Sequence, residues 1–134
     1  MVAPLAATAL GLALSTGTAG AALRSRTDSF TFTNRAGARV TCTVESFQDQ
    51  FSEEGFNGLS VGTFLSGPAD CAGSLNIFVE YRDTDGESRF ASLSAEGRSV
   101  SGFFEDAVTP VQSFHSVFVP ACECYHDYAL SQPK

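Results

Sequence analysis

Cys122-Glu123-Cys124-Tyr125-His126 sets two sulfurs and an imidazole at alternate positions near the end of the chain, and the other histidine, His115, lies a strand-length upstream. Side chains two apart share a face in an extended segment, so Cys122, Cys124 and His126 would project together. Two soft sulfurs with one or two imidazoles suit copper(I) or zinc, which makes His115, Cys122, Cys124 and His126 the candidate metal ligands. Their spacing argues the other way. Metal sites and redox catalysts usually place two or more residues between their cysteines, and an oxidising compartment turns thiols into disulfides. The expectation is therefore no metal and no cofactor, with Cys42, Cys71, Cys122 and Cys124 all in disulfides.

Four cysteines allow three pairings. Joining Cys42 to Cys71 closes a loop of about 30 residues, worth about 3.5 kcal/mol in the chain-entropy model. Joining Cys122 to Cys124 closes only about three, worth about 1.6 kcal/mol before strain. In a straight strand the β-carbons of those two cysteines stand beyond the roughly 4 Å that a disulfide spans, so this bond needs a bend, for which Pro120 offers a place. Crossed pairings would link Cys42 and Cys71 separately to Cys122 and Cys124, closing loops worth about 4 to 4.5 kcal/mol each. Cys42–Cys71 with Cys122–Cys124 is the expected pattern, and the crossed pairings are the alternative.

Other motifs look catalytic only in form. Gly58-Leu59-Ser60-Val61-Gly62 fits G-x-S-x-G, with Asp83, Asp85, Asp106 and then His115 downstream. That motif works where a strained turn between a buried strand and a helix lifts the serine above a parallel sheet, whereas Thr63 to Pro68 reads as strand and turn. Asp83-Thr84-Asp85-Gly86 alternates carboxylates as a calcium loop does but lacks the bidentate glutamate that ends one, and Asp-Gly between two alternating runs signals a hairpin. Glu53-Glu54 and Glu105-Asp106 are sequence neighbours whose side chains diverge in an extended chain. No enzymatic role follows from any of these.

The elements that would position these residues are strands. Period-two alternation rich in β-branched and aromatic residues marks 29–33, 40–44, 59–65, 75–82, 88–94, 98–105 and 111–119, about seven strands. Asn34 to Gly37, Asn57-Gly58, Gly67-Pro68, Asp83 to Gly86, Glu96-Gly97 and Thr109-Pro110 punctuate them. Residues 48–58 form the longest stretch without strand character and read as an acidic loop or a short helical turn. Leu75, Ile77, Val79 and Tyr81 should share one face of a central strand, while Phe78 falls on the polar side and suggests partial cover on both faces. This pattern is that of an all-β antiparallel sandwich of immunoglobulin-like architecture, stapled by disulfides.

Residues 2–14 are apolar and uncharged, 15–18 turn small and polar, and Ala19-Gly20-Ala21 presents an A-x-A site, so residues 1–21 read as a signal peptide despite the missing basic n-region. Residues 22–134 then form a single secreted domain. The net charge of −7 argues against nucleic acid or an anionic membrane as partner. Seven of the eight basic residues are arginine, Lys134 being the exception, a composition found in high-GC bacteria. Twelve phenylalanines with no tryptophan supply a core, and Phe103-Phe104, or Phe114 with Phe118, could line an apolar pocket. Phe103 and Phe104 must face opposite ways, so one meets solvent or a partner. The function expected is a monomeric, non-catalytic module that binds an extracellular protein or surface. The alternative is a carrier of a small ligand in the Phe-rich interior, or of metal at the histidine and cysteine cluster.

Overall fold

The computed structural model describes residues 22–131, and the leader expected over 1–21 lies outside them. Among the described residues eight strands follow one another: β1 (Ala22–Thr33), β2 (Arg39–Glu53), β3 (Phe56–Ser66), β4 (Gly73–Asp83), β5 (Ser88–Gly97), β6 (Ser99–Glu105), β7 (Ala107–Val119) and β8 (Cys124–Ser131). They form two four-stranded sheets, ordered β1-β2-β3-β6 and β5-β4-β7-β8, and every pairing is antiparallel. Val44, Leu59, Val61 and Leu65 of the first sheet meet Leu75, Ile77, Val79, Val117 and Val119 of the second in one buried cluster. Branched aliphatic side chains fill this interior because alternate residues of each strand point into it.

The chain builds a three-strand meander, crosses to the second sheet through a 3₁₀ turn at Ala69–Cys71, makes the β4–β5 hairpin and returns at Arg98 to pair β6 with β3. It crosses once more at Asp106, a single residue in the left-handed region at φ 62°, and ends in the β7–β8 hairpin. The Cys42–Cys71 disulfide ties β2 to the 3₁₀ turn, with Cα atoms 5.5 Å apart, and so fixes the first crossing.

All seven expected strands are present, six of them with longer bounds and the one expected over 98–105 running from Ser99 to Glu105. Sequence periodicity assigns no strand after Val119, and the structure places an eighth, Cys124–Ser131, at the edge of the second sheet. Residues 48–58 are not a loop or a helical turn: β2 runs to Glu53, Glu54-Gly55 forms a tight turn, and β3 begins at Phe56. Pro110 does not separate two elements but lies inside β7 opposite Tyr81, where the register skips a residue, a place in a sheet that tolerates proline.

Candidate functional site

Side chains of chemical interest divide between the space inside the sandwich and its two outer faces. Toward one end the usual pattern is inverted, with polar groups inside. Ser46, Gln48 and Gln50 of β2, Thr63 of β3, Ser113 and His115 of β7 and Tyr128 of β8 are all buried. His115 Nδ1 lies 2.6 Å from Thr63 Oγ1 and its Nε2 lies 3.0 Å from Ser113 Oγ. Thr63 continues to Ser46 at 3.0 Å, and Ser46 meets the Tyr128 hydroxyl, so one chain of hydrogen bonds spans the two sheets. Hydroxyl rotors at both ring nitrogens serve either tautomer of a neutral imidazole. Burial lowers the His115 pKa from 6.5 to about 4, and burial likewise raises the Tyr128 phenol above its ordinary range. Both groups stay uncharged at neutral pH. With no exposed face, they organise the core rather than meet a ligand. The Gln48 amide makes no hydrogen bond among the described residues.

The candidate metal ligands do not converge. His115 lies inside the sandwich, paired in register with Tyr128, while His126 stacks on Phe30 at 4.4 Å, between the edge strands β8 and β1. Among the described residues no group of three or more metal-ligating side chains comes together. The expected Cys122–Cys124 bond is not formed: both are free thiols in the structure, Cys122 on the turn where Glu123 takes φ 50° and Cys124 at the first position of β8. Cys122 Sγ reaches the Val119 carbonyl at 3.5 Å. Burial, reinforced by the adjacent Cys122 sulfur, pushes the Cys124 thiol up and away from the thiolate that would bind metal or attack a disulfide.

Ser60 and His115 belong to opposite sides of the first sheet, since Ser60 alternates with the inward Leu59 and Val61, and no nucleophile–base pair forms. Asp83 closes the β4–β5 hairpin as expected of a turn. Its carboxylate accepts from the backbone N–H groups of Asp85 and Glu87 and from Arg89 Nε at 2.7 Å.

The phenylalanines correct the expectation of a Phe-built core. None of the twelve is buried, and Phe51, Phe56, Phe64, Phe78, Phe90, Phe103 and Phe114 are exposed. Phe103 faces solvent and Phe104 is half-buried against the core, so that pair does diverge. On the outer face of the first sheet the rings pack on the sheet and on each other. Phe47 and Phe64 stack with centroids 5.9 Å apart, as do Phe56 and Phe103. Phe47 covers Gly62 and Phe103 covers Gly58, where any β-carbon would collide with the ring.

The outer face of the second sheet differs. Phe78 on β4 stands opposite Phe114 on β7 and Ser92 on β5, and one step along, Glu80 stands opposite Phe90 and Gln112. Among the described residues these three rings form no stacked pair, and an open cleft of about 360 Å³ lies between them, lined also by Glu80, Ser92 and Gln112. Phe90 is 77% exposed and Phe78 55%. A second aromatic pair, Phe118 stacked on Tyr125 at 4.5 Å, sits on the same face four residues farther along β7, about 13 Å away. A polar row of Asn76, Ser94, Ser116 and Asp127 separates the two patches.

Sequence reasoning singled out Phe78 as out of phase and missed Glu80, Phe90 and Tyr125. The signal was available as a phase relation: on β4 and β7, Phe78 and Phe114 alternate with the residues that fill the core. Comparison of the chain with known protein families, curated proteins and solved structures finds no match.

Proposed function

We propose that this chain is a secreted, non-catalytic β-sandwich that binds an extracellular protein through the outer face of its second sheet. The observation that carries this reading is the pair of aromatic patches held on a rigid antiparallel face, one around Phe78, Phe90 and Phe114 and the other at Phe118 and Tyr125. Large exposed aromatics cost solubility and return nothing to the core, so a contiguous set of them marks a contact surface. Aromatic side chains are also the residues that anchor protein interfaces. Two patches about 13 Å apart suit a protein-sized occupant better than a small molecule, which a pocket would enclose.

The Cys42–Cys71 disulfide and the leader-like residues 1–21 support an oxidising, extracellular setting, and among the described residues no helix is long and apolar enough to cross a membrane. The architecture is immunoglobulin-like in having two packed antiparallel sheets. Its connectivity is its own, because three strands form a meander before the first crossing, where an immunoglobulin domain crosses after two.

A photo-crosslinking phenylalanine analogue at position 90, compared with one at Ser29 on the first sheet, tests this in the culture of the secreting cell. A discrete protein adduct from position 90 alone, lost when Phe78 and Phe114 are changed to serine, is the expected result. No adduct from position 90, or the same adducts from both positions, would count against the proposal.

A further inference from the structure

We infer that the cleft among Phe78, Phe90 and Phe114 receives an arginine side chain of the protein partner, with Glu80 as its counter-ion. This rests on the reading of that face as a protein-binding surface and adds the chemistry of what enters it. Aromatic rings attract a cation through their negative π faces, and a planar guanidinium both stacks on a ring and pairs with a carboxylate. The cleft supplies three rings and the Glu80 carboxylate together, with the Gln112 side chain beside them. Glu80 is central in this arrangement because β4 is an inner strand, so its cross-strand neighbours on both sides, Phe90 and Gln112, bring no charge.

Among the described residues the rest of the face carries two carboxylates and one cation, Arg82, which lies on the same side of β4 two positions beyond Glu80. The two carboxylates are Glu96 and Asp127, the former accepting a hydrogen bond from Ser74. Of the nearby cations, Arg82 donates to the Gly86 carbonyl at 3.2 Å in the hairpin turn and makes no ion pair with Glu80, and Arg89 is bound to Asp83. Among the described residues Glu80 has no ion-pair partner. An acidic carboxylate among apolar rings rejects an anion and gains little from a neutral group, which leaves a cation as the complementary ligand. A larger cleft of about 480 Å³ beside Asn34, Asp70 and Pro120 offers no such case, since its carboxylate is already bonded to Asn34 Nδ2 at 2.7 Å.

The test titrates the isotope-labelled secreted chain with the peptide Gly-Arg-Gly and, separately, with Gly-citrulline-Gly, the neutral isostere, following backbone amide shifts. Saturable shifts at Val79, Glu80, Ala91, Ser92 and Gln112 are expected with the arginine peptide, with at least about fivefold weaker binding of the citrulline peptide and a similar loss in Glu80→Gln. Raising the salt should also weaken binding. Unchanged amide positions away from the cleft establish that Glu80→Gln is folded. Equal binding of the two peptides, no binding, or undiminished binding by Glu80→Gln would overturn the inference. So would phosphatidylcholine vesicles giving these shifts where the peptide does not. If the position 90 adduct survives any such outcome, the arginine inference fails and the interaction face stands; if the adduct is missing as well, both fail.

Discussion

His115 makes both of its ring contacts inside the sandwich, to Thr63 and Ser113, and that placement converts an apparent metal ligand into a source of pH-dependent stability. Its pKa is held near 4 when folded and is about 6.5 when exposed, so the unfolded chain binds a proton that the folded chain refuses between those values. Its contribution is complete above pH 6.5 and falls as pH drops toward about 4. At about 1.4 kcal/mol per pH unit, the loss amounts to about 3 kcal/mol, measurable by urea unfolding at pH 7 and pH 4.5, and His115→Gln should remove this part of the slope. Gln48 gives a second expectation at this scale. Its amide is buried without a partner among the described residues, so Gln48→Met should raise the unfolding free energy by about 1 kcal/mol in the same assay. None of this was legible in the spacing of the cysteines and histidines. Alternation put Cys122, Cys124 and His126 on one face of an extended segment, whereas the structure keeps Cys124 and His126 on β8 and leaves Cys122 in the preceding turn. The phase of His115 with Val117 and Val119 along β7 was the signal that it points inward.

The elements were legible wherever apolar residues marked the inward side, as in Val40-Thr41-Cys42-Thr43-Val44 and in Leu75 to Tyr81. They became illegible where the marking inverted. In the second half of β2 the inward residues are Ser46, Gln48 and Gln50 and the outward ones include Phe47 and Phe51, so a regular strand reads as an acidic loop. β8 is hidden likewise, since Tyr125 points outward and the half-buried His126 lies against Phe30. Turn chemistry was a mixed signal: Asp83 to Gly86 does close the β4–β5 hairpin, whereas Asn57-Gly58 and Thr109-Pro110 lie inside β3 and β7. Arg89 and the backbone N–H of Glu87 hold the Asp83 carboxyl below its ordinary value of 3.8. A depressed carboxyl stabilises the fold above that value and ceases to do so as acid protonates it. Asp83→Asn should therefore melt lower than the parent at neutral pH, with the difference fading in strong acid. The β7–β8 turn holds Glu123 at φ 50°, where a side chain is strained, so Glu123→Gly should stabilise by about 0.5 to 1 kcal/mol in thermal unfolding. Reduction of Cys42–Cys71 should cost about 3.5 kcal/mol, because the loop it closes spans 29 positions.

At the scale of the whole molecule, the phenylalanines are distributed away from the buried core. A core of Val, Leu and Ile holds the two sheets together, while all twelve phenylalanines lie in partly or fully exposed positions. Composition made the aromatic load plain and pointed it at the core, the commonest destination of such residues. Only the three-dimensional phase of β4, β5 and β7 reveals that Phe78, Phe90 and Phe114 stand together around Glu80 on one outer face. If that face exists for contact, removing its rings should leave the fold nearly intact. Cross-strand side-chain pairs contribute about 0.2 to 1 kcal/mol, whereas truncating a buried leucine costs about 2 to 5. The most direct test is denaturant unfolding of the Phe78→Ser, Phe90→Ser, Phe114→Ser triple variant beside Leu75→Ala. The triple variant should lose less than about 2 kcal/mol and less than Leu75→Ala does. A loss in the triple variant equal to or greater than that of the single core truncation would show that the rings hold the sandwich together, and would contradict their assignment to a binding face.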